Sequence, residues 1–464
     1  MNFEASSELI QKLKEAIKTG RNEVILHEFS DLFPVDIAHI LNDLEPEDAV
    51  IVYQLLEDEI AAEVLLELEE PVREKLLESL TSREIATEII GNLDSDDAAD
   101  VLAELPQKKK DEVILAIDDK AQASDIVDLL GYDENTAGGL MMKELVKVNI
   151  NRSMRDCVRQ LRANAENLEH IYAVYVVDDN GKLEGYLSLK QVLTTNLRTP
   201  IRDVYDPDII SVKAGMDAEE VAKIMEKYDL VFVPVVDSLG RLIGRITIDD
   251  VVDVIRKEET EEVQKMGGME ALEDSYMGSS PLEMIRKRLG WLIVLFIGES
   301  FTATAISFFE NDISKAVVLA LFVPLIISSG GNTGSQASSL IIRALALGEV
   351  TVKEWWKIFK KEIKVGLTLG IILGLIGFGR VAIWSMFVDI YGPHWVWIGV
   401  TVGISLTGVV LWGNLMGSLF PILLKRSGFD PAVSSAPFVA TMVDITGLLI
   451  YFSVASFFLA GIIL

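Results

Sequence analysis

Cysteine occurs once in the 464 residues, at Cys157, so no intrachain disulfide can form and the soluble parts suit a reducing compartment. The four histidines are scattered, there is no glycine loop of the kind that cradles phosphate, and no nucleophile stands beside a base. Enzymatic chemistry has no visible seat. The opening MNFEASSELIQKLKEAIKTG has no apolar run, so no secretory signal peptide is expected and the first spanning helix is expected to act as the insertion signal.

Long apolar runs are missing from the first 288 residues, and net charge is nearly absent from the rest. Residues 1–131 carry 11 Lys/Arg against 33 Asp/Glu, residues 132–288 carry 21 against 29, and residues 289–464 carry 10 against 9. Nearly all of the net charge of −29 therefore lies in parts that cannot be embedded in a membrane. Such an acidic surface argues against nucleic acid and anionic lipid as partners and suits cations or basic partners.

What is present divides into four segments. Residues 1–131 read as an all-α acidic array in which a proline or acidic start precedes a short amphipathic helix: LFPVDIAHIL, LEPEDAVIVYQLL, LTSREIATEII, LDSDDAADVLAEL. A helical superhelix follows. Asp36, Asp48, Glu84 and Asp97 fall just inside helix starts, where the macrodipole favours acids. Asp96, Asp97 and Asp100 form the densest cluster, and both capping and a shared cation account for them.

Residues 132–256 turn to short β-branched strands alternating with helices, in two matching halves, 132–199 and 200–256. VKVNI, a helix from Ser153, and IYAVYVVDDNGKLEGYLSLKQVL match DIISV, a helix from Asp217, and LVFVPVVDSLGRLIGRITIDDVV. This α/β doublet resembles a pair of CBS (cystathionine β-synthase) domains, which serve as sensors and often bind adenine nucleotides between the copies. Thr247 and Asp250 match the T/S-x-x-D pattern whose hydroxyl and carboxylate contact phosphate and ribose. The first copy has Ser188 but Gln191 in place of the acid, so the resemblance implies one nucleotide site, with ATP as its candidate ligand, rather than two. Capping of the following helix is the competing reading of Thr247 and Asp250.

Residues 257–288 form a charged connector, or plug helix, expected to extend the preceding helix, break at Gly267-Gly268 and restart at Ser280-Pro281 with Arg286, Lys287 and Arg288 at the membrane surface. Five apolar spans follow at about 289–309, 316–347, 363–388, 396–424 and 434–464, a five-helix α transmembrane domain. Positive charge before the first span, between the second and third and between the fourth and fifth contrasts with the loops ENDISK and VDIYGPH. The positive-inside rule then puts the amino-terminal domains in the cytosol and the carboxyl terminus outside a cell, or inner, membrane. Five spans are few for a pore, which favours a homodimer with the pathway on its two-fold axis.

Two features inside the spans are costly. Asp444 sits within the fifth, where an acid at mid-helix costs about 2.5 kcal/mol or more and marks a functional site by default. The second span is expected to be interrupted by SSGGNTGSQASS, backbone tolerated at membrane depth only against protein or a cavity. Close helix packing also explains its glycines, but not Asn332 and Gln336.

With PLIISSGGNTGSQ, GNLMGSLFP, Asp430-Pro431-Ala432 and PFVATMVDITGLLIY, the whole order of segments resembles the MgtE-type magnesium channels over essentially its full length. Ser335 departs, standing where that family commonly has Asn. The resemblance implies a homodimeric, Mg²⁺-selective uptake channel in a lipid bilayer. Asp444 of each protomer would hold a hydrated Mg²⁺ with the Ala440 carbonyl nearby, Asn332 and Asn414 would belong to the pore, and Asp430 would lie near the cytosolic mouth. It further implies feedback closure by intracellular Mg²⁺ on Asp97, Asp100, Asp249, Asp250, Asp253, Glu258, Glu261 and Glu262. Two other classes are an H⁺- or Na⁺-coupled divalent cation exchanger, with Asp444 as relay, and a membrane-anchored nucleotide sensor, which has no need of a polar stretch in its second span.

Overall fold

Proline and acidic residues at close intervals start short helices one after another in the amino-terminal region of the structure, a computed structural model that describes residues 7–164, 168, 171–272, 276, 278–310, 316–388 and 390–462. They are α1 (Ser7–Thr19), α2 (Asn22–Phe29), α3 (Pro34–Asn42), α4 (Pro46–Tyr53), α5 (Asp58–Leu66), α6 (Glu70–Ser79), α7 (Ser82–Glu84), α8 (Ser95–Glu104), α9 (Gln107–Ala116) and α10 (Lys120–Leu129). Proline occupies the first turn of α3, α4 and α6, where its missing N–H costs nothing. Thr81 and Glu84 close a capping box on α7. Helices two apart in sequence pack together, α3 with α5, α4 with α6, α7 with α9 and α8 with α10, which winds the array into a superhelix. Ile25, Ile40, Leu65, Leu76, Ile85 and Leu102 are fully buried in its core.

The CBS-like segment builds two small sheets of one topology. The first comprises β1 (Val146–Asn149), β2 (Ala173–Val177) and β3 (Leu183–Ser188), with α11 (Met154–Asn164) and α12 (Leu189–Thr194). The second comprises β4 (Val212–Lys213), β5 (Phe232–Val236) and β6 (Leu242–Thr247), with α13 (Ala218–Lys227) and α14 (Ile248–Met266). In each the first pairing is parallel and the second antiparallel. Gly181 and Gly240 take φ of +81° and +80° at the hairpin turns, a conformation open to glycine at little cost. The two turns also pair with each other: the Leu183 amide donates to the Gly240 carbonyl and the Leu242 amide to that of Gly181, both at 3.0 Å. The single cysteine is buried in the core of the first copy, and burial pushes its thiol up to about 11.

Compact packing divides the chain into residues 1–258 and 259–464, and the division falls inside α14. That helix continues the second CBS-like copy into the connector as a single element. Gly268, with φ of +77°, follows its end.

Five described helices are long and apolar enough to cross a membrane. In chain order they are α15 (Pro281–Phe308), α16 (Val323–Ala346, preceded by a 3-10 turn Val317–Phe322), α17 (Trp355–Ser385), α18 (Trp395–Arg426) and α19 (Ala436–Leu459). Residues 311–315 of the ENDISK loop, residue 389 of VDIYGPH and residues 463–464 of the expected fifth span lie outside the described residues. Ser280 caps α15 by accepting from the Glu283 amide, so the basic cluster and the first span share one helix. α17 begins eight residues before the expected apolar run, because the amphipathic WWKIFKKE stretch is helical too.

The expected interruption of the second span is absent. α16 runs unbroken through SSGGNTGSQASS, and its glycines lie against another helix. A Cβ at Gly413 of α18 would sit 2.4 Å from the Gly330 carbonyl oxygen, and one at Gly417 would sit 2.1 Å from that of Gly334. Gly370 and Gly374 of α17 meet the Thr407 and Gly403 carbonyls of α18 in the same way. Between membrane helices, where hydrophobicity gives no drive to associate, such small residues let backbones approach closely. α18 thereby packs on α16, α17 and α19. α15 packs on α19 and runs parallel to it. Trp291 donates to Ser435 at 3.0 Å, Gly298 faces Thr441, and Phe309 stacks on Phe452 at 4.8 Å.

Candidate functional site

Asp444 is half-buried on α19, one turn after Ala440. Gly331 of α16 lies directly against both: a Cβ there would be 3.2 Å from the Asp444 Oδ1 and 3.4 Å from the Ala440 Cβ. The two helices are tied beside this point by hydroxyls, Ser335 donating to the Ala436 carbonyl at 3.0 Å and Ser338 to that of Ser434 at 2.9 Å. The departure at Ser335 thus serves helix packing in this chain. Asn332 and Gln336 point away from this contact with Ser328, and all three are exposed along one stripe of α16. Asn332 donates to the Ser328 hydroxyl at 3.3 Å. Three polar side chains at mid-span cannot face lipid cheaply, so the stripe belongs against water or a second polar surface.

One acid near Asp444 escapes sequence reading. Glu299 of α15 is close enough for its charge to act on Asp444, and it lies exposed in a run otherwise free of ionisable groups from Leu289 to Phe308. The signal that drew attention to Asp444, an acid inside an apolar run, is equally present in LFIGESFTATA.

A second concentration of acids lies in the amino-terminal unit, where the start of α8 meets the start of α14. Asp96 is buried, and burial followed by the charge of Asp250 holds its carboxyl well above the usual range. Burial, then Asp250 and Asp100, push Asp97 up to about 7. Asp100 is exposed, yet partial loss of water, then Glu134 and Glu104, push it up to about 6. Asp250 also rises to about 7 through burial and then Asp249, against hydrogen bonds from Thr247. Among the described residues no three acids, histidines or cysteines converge closely enough to wrap a bare metal ion. A magnesium ion, which keeps several waters and takes one or two carboxylates, needs no such cage. If mutual repulsion is what strains this contact, Asp97→Asn should slow amide exchange in α8 and the first turns of α14 about tenfold in chelator. Hydrogen exchange of the full-length protein measures this.

The Thr247 hydroxyl donates to Asp250 at 3.1 Å, and Ser188 with Gln191 closes a capping box on α12. Both copies thus use the motif positions at a helix start. Between the copies, Phe232 stacks with Tyr172 at 5.9 Å and meets Tyr175 edge-on at 6.0 Å, while the Arg245 guanidinium lies over the Tyr172 ring at 5.8 Å.

Residues 323–454 match the family described as divalent cation transporter, 32–135 the MgtE intracellular N domain, and 137–197 and 201–257 the CBS domain. The magnesium transporter MgtE of Thermus thermophilus is 39% identical over 334 residues, 72% of each chain. The chain belongs to the MgtE family of magnesium transporters. The MgtE of Enterococcus faecalis is 37% identical over 333 residues, covering 72% of this chain and 71% of its own. Among solved structures, the cytosolic domain of the Mg²⁺ channel MgtE in complex with ATP is similar at 34% identity and a TM-score of 0.49, over 53% of this chain and all of that one.

Asn414, Asp430, Glu261 and Glu262 are held by protein partners. The Asn414 amide is buried and donates to the Glu362 carboxylate at 2.7 Å and to its carbonyl at 2.9 Å, which joins α18 to α17. Asp430 caps the Pro431–Val433 turn through the Ala432 amide at 2.8 Å and pairs with Lys265 at 3.1 Å. Lys265 also holds Glu261 at 2.6 Å, and Arg343 of α16 reaches Glu259 at 3.3 Å and Glu262 at 3.9 Å. The connector end of α14 is thereby bound by two cations to the membrane unit. Asp249 and Asp253 are exposed, and Glu258 is half-buried further along the same helix.

Proposed function

We propose that this MgtE protein is a homodimeric, Mg²⁺-selective channel that admits magnesium to the cytosol down its gradient, with one hydrated ion shared by Asp444 of both protomers. The observation that carries the reading is Asp444 itself, pressed by Gly331 and Ala440 at mid-span beside the exposed Ser328, Asn332 and Gln336 stripe. One carboxylate from each protomer with retained waters meets the octahedral preference of Mg²⁺, which sheds its hydration shell reluctantly. Two facing carboxylates without an ion would repel, and a divalent cation removes the conflict. The Ala440 carbonyl and the Asn332 side-chain carbonyl would both accept from the ion's water, and Asp430 would stand at the mouth.

The cytosolic acids support feedback. Asp97 on α8 and Asp249 and Asp250 on α14 repel one another without a cation, with Asp100 and Asp253 alongside on the same helices, and intracellular Mg²⁺ would relieve the strain by bridging them. Because α14 continues through Glu258, Glu261 and Glu262, an ion that fixes its first turns has an unbroken helix along which to act on the connector. ATP would use Thr247 and Asp250 and the Phe232, Tyr172 and Arg245 surface between the CBS copies, and would then compete with Mg²⁺ for Asp250. This arrangement requires the amino-terminal units in the cytosol of the cell membrane and the carboxyl terminus outside.

Purified protein in liposomes should take up Mg²⁺ along an imposed gradient without a proton or sodium gradient, and the absence of such flux would overturn the channel reading. Millimolar Mg²⁺ should protect the cytosolic unit from trypsin. An identical digestion pattern with and without the ion would remove the sensor.

A further inference from the structure

Glu299 lies near Asp444 but has no role in the function proposed above, and its position is hard to explain by packing. It is the sole ionisable side chain of α15 within the apolar run, at a depth where an exposed acid is costly unless water or a cation reaches it. It lines an open cavity of about 520 Å³ between α15 and α19, walled by Leu292, Leu295 and Phe296 on one side and by Thr441 on the other. Close approach of the helices fixes the opposing walls, since a Cβ at Gly298 would fall 2.8 Å from the Thr441 Cγ2. Thr441 donates to the Pro437 carbonyl at 3.0 Å and keeps its oxygen lone pairs for a donor such as metal-bound water. Thr302, one turn beyond Glu299, is only 4% exposed and its hydroxyl meets no protein partner, so a polar group is left over beside the acid.

We infer that Glu299 is a second carboxylate on the cation route, a specificity-determining residue that holds the hydrated divalent ion by its water shell as the ion passes to or from Asp444. Each protomer then supplies two acids from adjacent parallel helices, Glu299 on α15 and Asp444 on α19, rather than one. The chemistry recognised is a hydrated divalent cation. A carboxylate accepting from coordinated water favours a dication over a monovalent ion because the higher charge polarises that water more strongly. The mostly apolar walls lower the dielectric on the protein side of the ion and strengthen the interaction there.

The inference rests on the channel reading and is tested separately from it. Full-length native protein, Glu299→Gln, Glu299→Asp and Asp444→Ala are reconstituted in liposomes. Half-saturating Mg²⁺ and block by hexaamminecobalt(III), an exchange-inert mimic of a hydrated metal ion, are then measured. Glu299→Gln should raise half-saturating Mg²⁺ about tenfold and weaken the block by a similar factor. Glu299→Asp, which keeps the charge but draws it back, should fall between native and Gln on both readouts. If Gln does not reconstitute, Asp carries the test with an expected increase of about threefold. Native values in whichever variants reconstitute overturn the role of Glu299, provided Asp444→Ala is silent. Transport by Asp444→Ala at the native rate overturns the channel reading beneath it.

Discussion

Asp444→Ala should lower Mg²⁺ uptake into liposomes about a hundredfold or more without unfolding the protein. In the proposed dimer the substitution removes two charge-assisted contacts to the ion's hydration shell. At roughly 1.5 to 3 kcal/mol each, their joint loss corresponds to about a hundredfold or more. Stability should hold or rise, because a carboxylate at membrane depth opposes folding unless an ion accompanies it. The neighbours support this asymmetry: Gly331 and Ala440 pack against Asp444 with small groups, and the α16–α19 contact is also tied by Ser335 and Ser338. Asp444→Asn keeps the shape and loses the charge, so it should fail as Ala does. Uptake within a factor of two of native in both variants, with normal elution on size exclusion, would sink the assignment.

Features set by nearby residues were legible in the chain, and features set by a distant partner were not. Pro34, Pro46 and Thr81 mark helix starts by their own chemistry, and Gly181 and Gly240 mark hairpin turns through a backbone conformation that few other residues take. The SSGGNTGSQASS stretch is the opposite case. Whether its glycines break a helix or admit a neighbour depends on Gly413 and Gly417, some eighty residues later, and the structure favours the neighbour. The Lys265 and Arg343 ion pairs are equally non-local, joining residues that sequence separation hides. Glu299 differs from all of these, since its position in an apolar run was visible and only its proximity to Asp444 gave it meaning.

That dependence on the distant helix leads to a stability prediction. Gly417→Ala should lower the thermal midpoint of the detergent-solubilised protein by roughly 5–10 °C, as expected for about 2–3 kcal/mol of overpacking. The added Cβ would lie 2.1 Å from the Gly334 carbonyl oxygen. That oxygen belongs to the backbone of an unbroken helix and cannot swing aside as a side chain would, so α16 and α18 must separate by an ångström or more. The movement reaches the proposed ion site directly, because α16 carries Gly331 against Asp444 and the Ser328, Asn332 and Gln336 stripe one face away. Uptake should therefore fall with stability. Gly379→Ala on α17 supplies the contrast. Its new Cβ would meet nothing within 4 Å, and replacing glycine inside a helix should leave the midpoint unchanged or slightly higher. Equal midpoints for the two variants would mean that α16 and α18 do not approach as closely as this packing requires, and that the glycines of both helices are free of each other.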